Sequence, residues 1–252
     1  MGLELSPFSA YHRWQIRWNV ISSNENFDPK AIKTNSERVH EAIKAIAEIG
    51  VIGGVQLTRI FLNNNKNLLK KMVNTKMIKR HMIKKNLQEI PVYTLGITGI
   101  EMTQSKRNQW LNYGELDVVR RLVFFQLYER MNNLAKGKIK IKRPDEFNSA
   151  CIGIFETKEV SYHVIVLREN VNEAQKYILD RPDHRFLIVC EDLIYLEPLN
   201  KLLSKRNVRV TTDNELKKSP KNLFYMWFNN KWCKEREVMN EIQKERKAVN
   251  VN

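Results

Sequence analysis

The chain has 252 residues, and its 43 Lys and Arg outnumber its 28 Asp and Glu, which gives a formal net charge of +15. So large a positive charge favours an anionic partner, either nucleic acid or an acidic membrane surface. No apolar run reaches the length of a membrane span, so we expect a soluble protein and exclude an integral membrane protein with helical spans.

The cysteines and histidines argue against disulfide bonds and bound metal. Cys151, Cys190 and Cys233 are odd in number and far apart, as expected for reduced thiols in a cytoplasmic protein. The N-terminus has no uninterrupted apolar core of the kind found in a secretory signal. The five histidines follow no metal-ligand spacing, so we expect neither a metal nor another cofactor.

Residues 1–36 are expected to form an N-terminal arm and linker. Within it, the segment Tyr11–Trp18 mixes aromatic rings with cations. Such side chains can stack on nucleobases or bind phosphates, and they can equally pack as an interface. Both interpretations stay open from the sequence alone.

The segment from Ile49 to Gln88 contains no Asp or Glu, although it is rich in Lys and Arg. Helical periodicity predicts three helices in and just before it. The first has an apolar stripe at Ala42–Ala47 and ends at Gly50, the second spans Val55–Phe61, and the third lies between Asn65 and Lys76.

The third predicted helix divides cleanly into two faces. The apolar face consists of Leu68, Leu69, Met72 and Val73. The polar face follows i, i+3, i+4 and i+7 spacing and consists of Asn67, Lys70, Lys71 and Asn74. A cationic helix face that also carries amides is suited to the DNA major groove.

A basic hairpin is predicted after the third helix. Its strands are Met77–Ile83 and Val92–Leu95, and its polar tip is Lys84, Lys85 and Asn86. Three helices followed by such a hairpin indicate a winged helix-turn-helix domain, an α+β domain that we place at residues 37–106. The predicted DNA-binding residues are Lys66, Asn67, Lys70, Lys71, Asn74, Lys76, Lys79, Arg80, Lys84 and Lys85.

A long helix from Gly114 to Leu134 is predicted to bridge the two halves of the chain, within a segment at residues 107–135. The lysines that follow alternate with other residues, and this period of two predicts a strand with all four on one face. They are Lys136, Lys138, Lys140 and Lys142, and they form a candidate second basic surface.

Residues 136–230 are predicted to form an α/β domain, because short apolar runs alternate with helical patterns. This order predicts a parallel core extended by an antiparallel edge. The predicted strands are Ile152–Phe155, Tyr162–Leu167, Arg185–Cys190 and Val208–Thr212, and the predicted helices are Val171–Leu179 and Leu196–Lys205. Residues 231–252 are expected to be a charged C-terminal helix or tail.

One motif in this domain offers catalytic chemistry. Pro144-Asp145 followed by Glu156-Thr157-Lys158 matches the letters of restriction-endonuclease-like nucleases, so the domain resembles a degenerate restriction-endonuclease-like fold. Such nucleases need Asp145 and Glu156 to hold Mg²⁺ and Lys158 to activate water. Because Glu156 to Glu159 is predicted to be an exposed hairpin turn, we expect a nuclease-like sheet without its metal site.

Further short matches run along most of the chain. They are Glu41 to Gly50, Gln56-Leu57, Phe61, Leu69, Met77-Ile78, Val92 to Leu95, Thr98 with Glu101, Leu116 to Val119, Arg143 to Asp145, and Val208 to Thr212. In these segments the chain resembles the replication-relaxation proteins of plasmids and integrative elements. The resemblance implies a DNA-binding accessory protein in replication, mobilisation or transcription control of a mobile element.

We therefore expect a non-enzymatic, sequence-selective binder of double-stranded DNA. Two alternatives stay open: a metal-dependent nuclease that uses Asp145, Glu156 and Lys158, and an interaction module of a replication or conjugation complex. A homodimer also stays open.

Overall fold

The computed structural model describes residues 5–30, 36–145, 150–218 and 222–249, with side chains as far as Gln243. It shows a mixed α and β protein with two sheets. The chain forms two compact units. The N-terminal unit comprises Ala10–Glu129 and Ile141–Arg143, and the C-terminal unit comprises Met1–Ser9, Arg130–Lys140 and Pro144–Asn252. In the described ranges, no helix is both long and apolar enough to cross a membrane.

The N-terminal unit places three helices before a long antiparallel hairpin. In chain order its elements are β1 (Trp14–Arg17), α1 (Glu37–Ile49), β2 (Ile52–Gly53), α2 (Gly54–Ile60), α3 (Lys66–Asn74), β3 (Ile78–Lys85), β4 (Gln88–Leu95), α4 (Ile97–Thr103) and α5 (Glu115–Leu134), whose last turn belongs to the other unit. The strands form one sheet in the order β1-β3-β4-β2, and neighbouring strands are antiparallel.

Apolar periodicity locates the three helices correctly. On α1 the buried residues recur at helical spacing from Val39 to Ile49, and the helix ends at Gly50, whose φ of 99° suits glycine. The Asn65 side chain caps α3 by accepting a hydrogen bond of 2.9 Å from the Leu68 N–H. The predictions of helix, turn and helix followed by a third helix are confirmed.

The N-terminal segment is not a free arm, which corrects one sequence expectation. Trp14–Arg17 forms β1 and pairs with β3 in the register Trp14 to Lys85 and Arg17 to Met82. A strand of four residues carries too little period-two pattern to be predicted beside the cations that surround it. Residues 31–35 of the expected linker lie outside the described part of the chain.

The tip of the hairpin also differs from the prediction. Lys84 pairs with Glu89 and Lys85 pairs with Gln88, so both lysines belong to β3. The turn consists of Asn86 and Leu87, and Asn86 adopts a φ of 53° that asparagine tolerates well. The strands are therefore longer than their apolar segments indicated, because main-chain pairing continues through polar side chains.

The C-terminal unit is built on a seven-stranded sheet. Its elements are β5 (Lys140–Lys142), whose last two residues belong to the N-terminal unit, β6 (Cys151–Glu156), β7 (Ser161–Val166), α6 (Val171–Leu179), β8 (Arg185–Cys190), α7 (Asn200–Leu203), β9 (Asn207–Thr212), α8 (Asp213–Lys217), β10 (Tyr225–Phe228), β11 (Lys231–Lys234) and α9 (Glu235–Val249). The strand order is β11-β10-β9-β8-β7-β6-β5. Strands β7, β8 and β9 are parallel, and β6 and β10 flank them antiparallel, as the sequence predicts.

Three expectations for the second half of the chain are corrected. Only Lys140 and Lys142 lie on a strand, whereas Lys136 has a φ of 52° in the turn after α5 and Lys138 is irregular. The predicted helix Leu196–Lys205 is a 3-10 segment at Leu193–Leu199 followed by α7. Lys231–Lys234, expected in the tail, is β11.

One face of the seven-stranded sheet buries a continuous apolar core. Its members come from every parallel strand and from α6, including Ile165, Ile178, Phe186, Ile188 and Val210. Burying a side chain of this size stabilises the fold by roughly 1.5–3 kcal/mol. This core fixes the strand ends and therefore the polar side chains that lie beyond them.

Candidate nucleic-acid interface

The polar face of α3 is fully presented to solvent. Met72 is 1% exposed and anchors the apolar face, while Leu68, Leu69 and Val73 are half-buried. The exposed residues are those that the sequence assigns to DNA contact: Lys66, Asn67, Lys70, Lys71 and Asn74. Helix geometry thus brings together five of the ten predicted residues on one surface.

The cations of α3 have no carboxylate partner among the described residues. No ion pair reaches Lys66, Lys70 or Lys71 there, and the first turn of the helix contains no acid. A lysine in the first turn also faces the positive end of the helix dipole, which costs a few tenths of a kcal/mol. This face therefore has an unbalanced positive charge that an external anion can neutralise.

Other cations of the acid-free segment are neutralised by acids from elsewhere in the chain. The Lys79 ammonium lies 2.7 Å from the Glu25 carboxylate, and Arg59 lies 3.5 Å from Glu129. Burial alone would raise the pKa of Glu25, but the hydrogen bond and charge of Lys79 outweigh burial and lower it. Lys79 and Arg59 are therefore less available to an external phosphate than the lysines of α3.

The hairpin lysines are also engaged within the chain. Lys84 forms an ion pair with Glu89 at 2.6 Å, and the Lys85 ammonium lies 5.8 Å from the centre of the Trp14 ring. Lys76 donates a hydrogen bond of 3.3 Å to the Asn26 carbonyl. The structure thus separates the α3 cations, which have no acidic partner in the described ranges, from Lys76, Lys79, Lys84 and Lys85, which have neighbours within the chain.

Arg80 connects the helix face with the hairpin. It is exposed on β3, and together with Asn74 it lines an open groove beside Trp18 and Asn19. The Asn19 amide donates a hydrogen bond of 2.6 Å to the Arg80 carbonyl. The groove places the C-terminal end of α3 next to the start of β3.

The second basic surface is weaker than predicted. Lys136, Lys138, Lys140 and Lys142 are all exposed, but only the last two share a strand face. A turn residue and an irregular residue do not keep the period-two alignment on which the prediction depended.

The alternative nuclease residues lie before, at the end of and after β6. Asp145 is exposed before β6, Glu156 is the half-buried last residue of β6, and Lys158 is exposed in the turn after it. No cluster of three or more His, Cys, Asp or Glu side chains suited to a metal ion occurs in these ranges. The expected turn is therefore one residue shorter, since Glu156 belongs to the strand.

The carboxyl ends of parallel strands often hold ligands, and in this protein side chains of the chain itself occupy them. Arg168 follows β7 and contacts both carboxylate oxygens of Asp213 after β9, at 2.7 and 2.6 Å. Arg168 also donates to the Phe8 carbonyl at 2.8 Å, and Ser6 donates to Asp213. Arg168 and Asp213 are 2% and 3% exposed, so this ion pair is structural.

Sequence reasoning named Arg17 only as part of the aromatic and cationic N-terminal segment, and it did not connect Arg17 or Glu89 with the hairpin. Arg17 lies on β1 next to β3, and Glu89 lies on β4 beside Lys84. The alternation of Trp14 and Ile16 with Gln15 and Arg17 was the available signal for Arg17. Glu89 lies one residue beyond the acid-free segment in sequence, and it approaches Lys84 of that segment only through the pairing of β3 with β4.

Comparison with known proteins gives no independent assignment. No protein-family model matches the chain, and neither a curated protein nor a solved structure matches it significantly. The resemblance to replication-relaxation proteins therefore stays a prediction.

Proposed function

We propose that the N-terminal unit is a winged helix that binds double-stranded DNA through α3. The observation that carries this proposal is the exposed face of Lys66, Asn67, Lys70, Lys71 and Asn74, which has no acidic partner among the described residues. An unpaired cationic helix face attracts phosphate, and its amides supply hydrogen bonds that base edges can read.

The element order supports the same proposal. The short strand β2 pairs with β4, α2 and α3 follow it, and β3 with β4 forms the hairpin beside α3. In a winged helix the helix in the position of α3 enters the major groove, and the hairpin lies on the DNA backbone.

The spacing of the asparagine side chains on α3 fits a DNA-recognition helix. Asn67 and Asn74 are seven residues apart, which is about 10 Å along a helix axis and close to three base-pair steps. An asparagine can form a paired hydrogen bond with adenine. We infer that Asn67 and Asn74 read bases while Lys66, Lys70 and Lys71 bind the phosphates beside them.

The cellular role follows from the resemblance and is proposed with it. We propose an accessory role in replication, mobilisation or transcription control of a plasmid or mobile element. Cys151, Cys190 and Cys233 are present as thiols and not as disulfides, which is consistent with the cytoplasm, a reducing compartment. The C-terminal unit, with its degenerate endonuclease-like pattern, would position or dimerise the DNA-binding unit or contact replication or conjugation proteins.

Selection of bound sites from a pool of random duplexes tests the proposal. We expect the protein to enrich a defined site, and Asn67→Ala to relax the preference at one position by about fivefold or more, since a paired hydrogen bond discriminates bases by roughly 1–3 kcal/mol. Asn112→Ala, which alters an exposed amide outside α3 and the hairpin, is the matched control. Enrichment of no duplex would contradict sequence-selective binding.

A further inference from the structure

Strand pairing gathers three cations and one acid on a single face of the hairpin sheet. Arg80, Met82 and Lys84 alternate along β3 and so point to one side. Cross-strand partners share a face, so Arg17, opposite Met82, and Glu89, opposite Lys84, point to that side too. Arg17, Arg80, Lys84 and Glu89 are called the β-face cluster below.

The β-face cluster lies on the side of the sheet that faces the start of α2. Tyr93 is the cross-strand partner of Arg80, and its ring lies close to Gly54 at the start of α2. Arg80 also lines one groove with Asn74 of α3. Arg80 therefore brings one end of the cluster next to the C-terminal end of α3.

Glu89 is the carboxylate at the centre of this group. It lies 2.6 Å from the Lys84 ammonium, and the two side chains are 51% and 41% exposed. The hydrogen bond and charge of Lys84 lower the pKa of Glu89, and the charges of Arg17 and Arg80 lower it further. Three cations thus share one carboxylate, which leaves the cluster positive and Lys84 occupied.

We propose that the β-face cluster is a phosphate-binding site in which Arg17 of β1 acts with Arg80, and that Glu89 is a built-in competitor that a DNA phosphate must displace from Lys84. This inference rests on the proposed DNA binding and adds residues that are not part of α3. It assigns to β1 a direct role in the interface.

The competition has a defined consequence for specificity. An ion pair between two exposed side chains contributes little to stability, so a phosphate can replace Glu89 without a large penalty. The exchange nevertheless weakens binding to every phosphate backbone, whatever its sequence. Selectivity then depends on the contacts of α3, because the hairpin adds little affinity for unspecific DNA.

Binding of a mixed-sequence 20-base-pair duplex at several salt concentrations tests this inference. We expect Glu89→Gln to bind about three- to tenfold more tightly, with a log–log salt slope steeper by about 1, because Lys84 becomes available to release a counterion. Arg17→Ala should bind about three- to tenfold more weakly. Lys44→Ala is the matched control, since Lys44 lies on the exposed face of α1 with Glu37 and Glu41.

The outcomes separate this inference from the proposed function. One outcome is that the wild type and Lys44→Ala bind the duplex, while Glu89→Gln and Arg17→Ala bind with the same affinity and salt slope as the wild type. The proposed competition by Glu89 is then wrong, and the proposed DNA binding is not contradicted. If the wild type binds no duplex at any salt concentration, the proposed function fails and this inference fails with it. Circular dichroism of each variant verifies that the exposed substitutions leave the fold unchanged.

Discussion

His81 is completely buried on β3 and holds the N-terminal segment against the sheet. Its Nδ1 accepts a hydrogen bond of 2.9 Å from the Asn19 N–H, so the proton of the neutral ring is on Nε2, which lies 2.8 Å from the Thr94 hydroxyl. The rings of Trp18 and Trp110 pack on the imidazole at 4.9 and 5.4 Å. Burial, aided by the charge of Lys79, lowers the pKa of His81 to about 3.

This burial predicts a dependence of stability on pH. The unfolded chain binds a proton at His81 near pH 6.5 and the folded chain does not, so the contribution of His81 to the free energy of unfolding is constant above that pH and falls below it. Between pH 7.5 and 5.0 we expect the loss to be about 2 kcal/mol larger for the wild type than for His81→Gln, measured by urea denaturation. Equal losses in both proteins would show that His81 is protonated in the folded state.

The sequence could indicate that His81 lies in a basic strand, but it could not indicate which residues His81 contacts. Asn19 and Thr94 are separated from His81 by 62 and 13 residues. No local pattern connects these positions, since the contact exists only after β1 has paired with β3. The same limit applied to Glu25 and Glu89, which approach Lys79 and Lys84 only in the folded chain.

At the level of elements, apolar periodicity was sufficient to predict a helix or strand wherever the segment buries one continuous apolar stripe. Helices α1 and α3 and strand β8 lie where the patterns place them. Strand β1, which has only four residues, was not predicted, and neither was the hairpin β10–β11. The half-buried aromatic residues of β10 do not alternate with polar ones, so these strands carry no period-two signal.

The placement of strand ends also bears on the nuclease alternative. Glu156 is the half-buried last residue of β6, Lys158 follows in an exposed turn, and Asp145 is exposed before β6, so these side chains are open to solvent. An open pair of carboxylates binds Mg²⁺ weakly, because the ion dehydrates reluctantly. We expect no cleavage of supercoiled, linear or single-stranded DNA with Mg²⁺ or Mn²⁺ in an agarose-gel assay. Cleavage that disappears in Glu156→Ala or Asp145→Ala would instead establish a nuclease.

For the whole molecule, the net charge of +15 predicted an anionic partner without locating its surface. The fold reduces the number of cations that can bind an anionic partner, because acids from outside the acid-free segment neutralise Arg59, Lys79 and Lys84. The lysines of α3 keep their charge unpaired within the described ranges. A linear sequence cannot reveal this difference, since it depends on which carboxylates the folded N-terminal unit brings close to each cation.

The most direct test of the proposed function compares the wild type with Lys70→Ala/Lys71→Ala on duplex DNA across a range of salt concentrations. Each phosphate contact contributes roughly 0.9 to the log–log salt slope, so the double variant should lose specific binding and show a slope shallower by up to about 2. Lys44→Ala should match the wild type, since Lys44 stands on the exposed face of α1 that also carries Glu37 and Glu41. Unchanged affinity and slope in the double variant would remove α3 from the interface and contradict the proposed function.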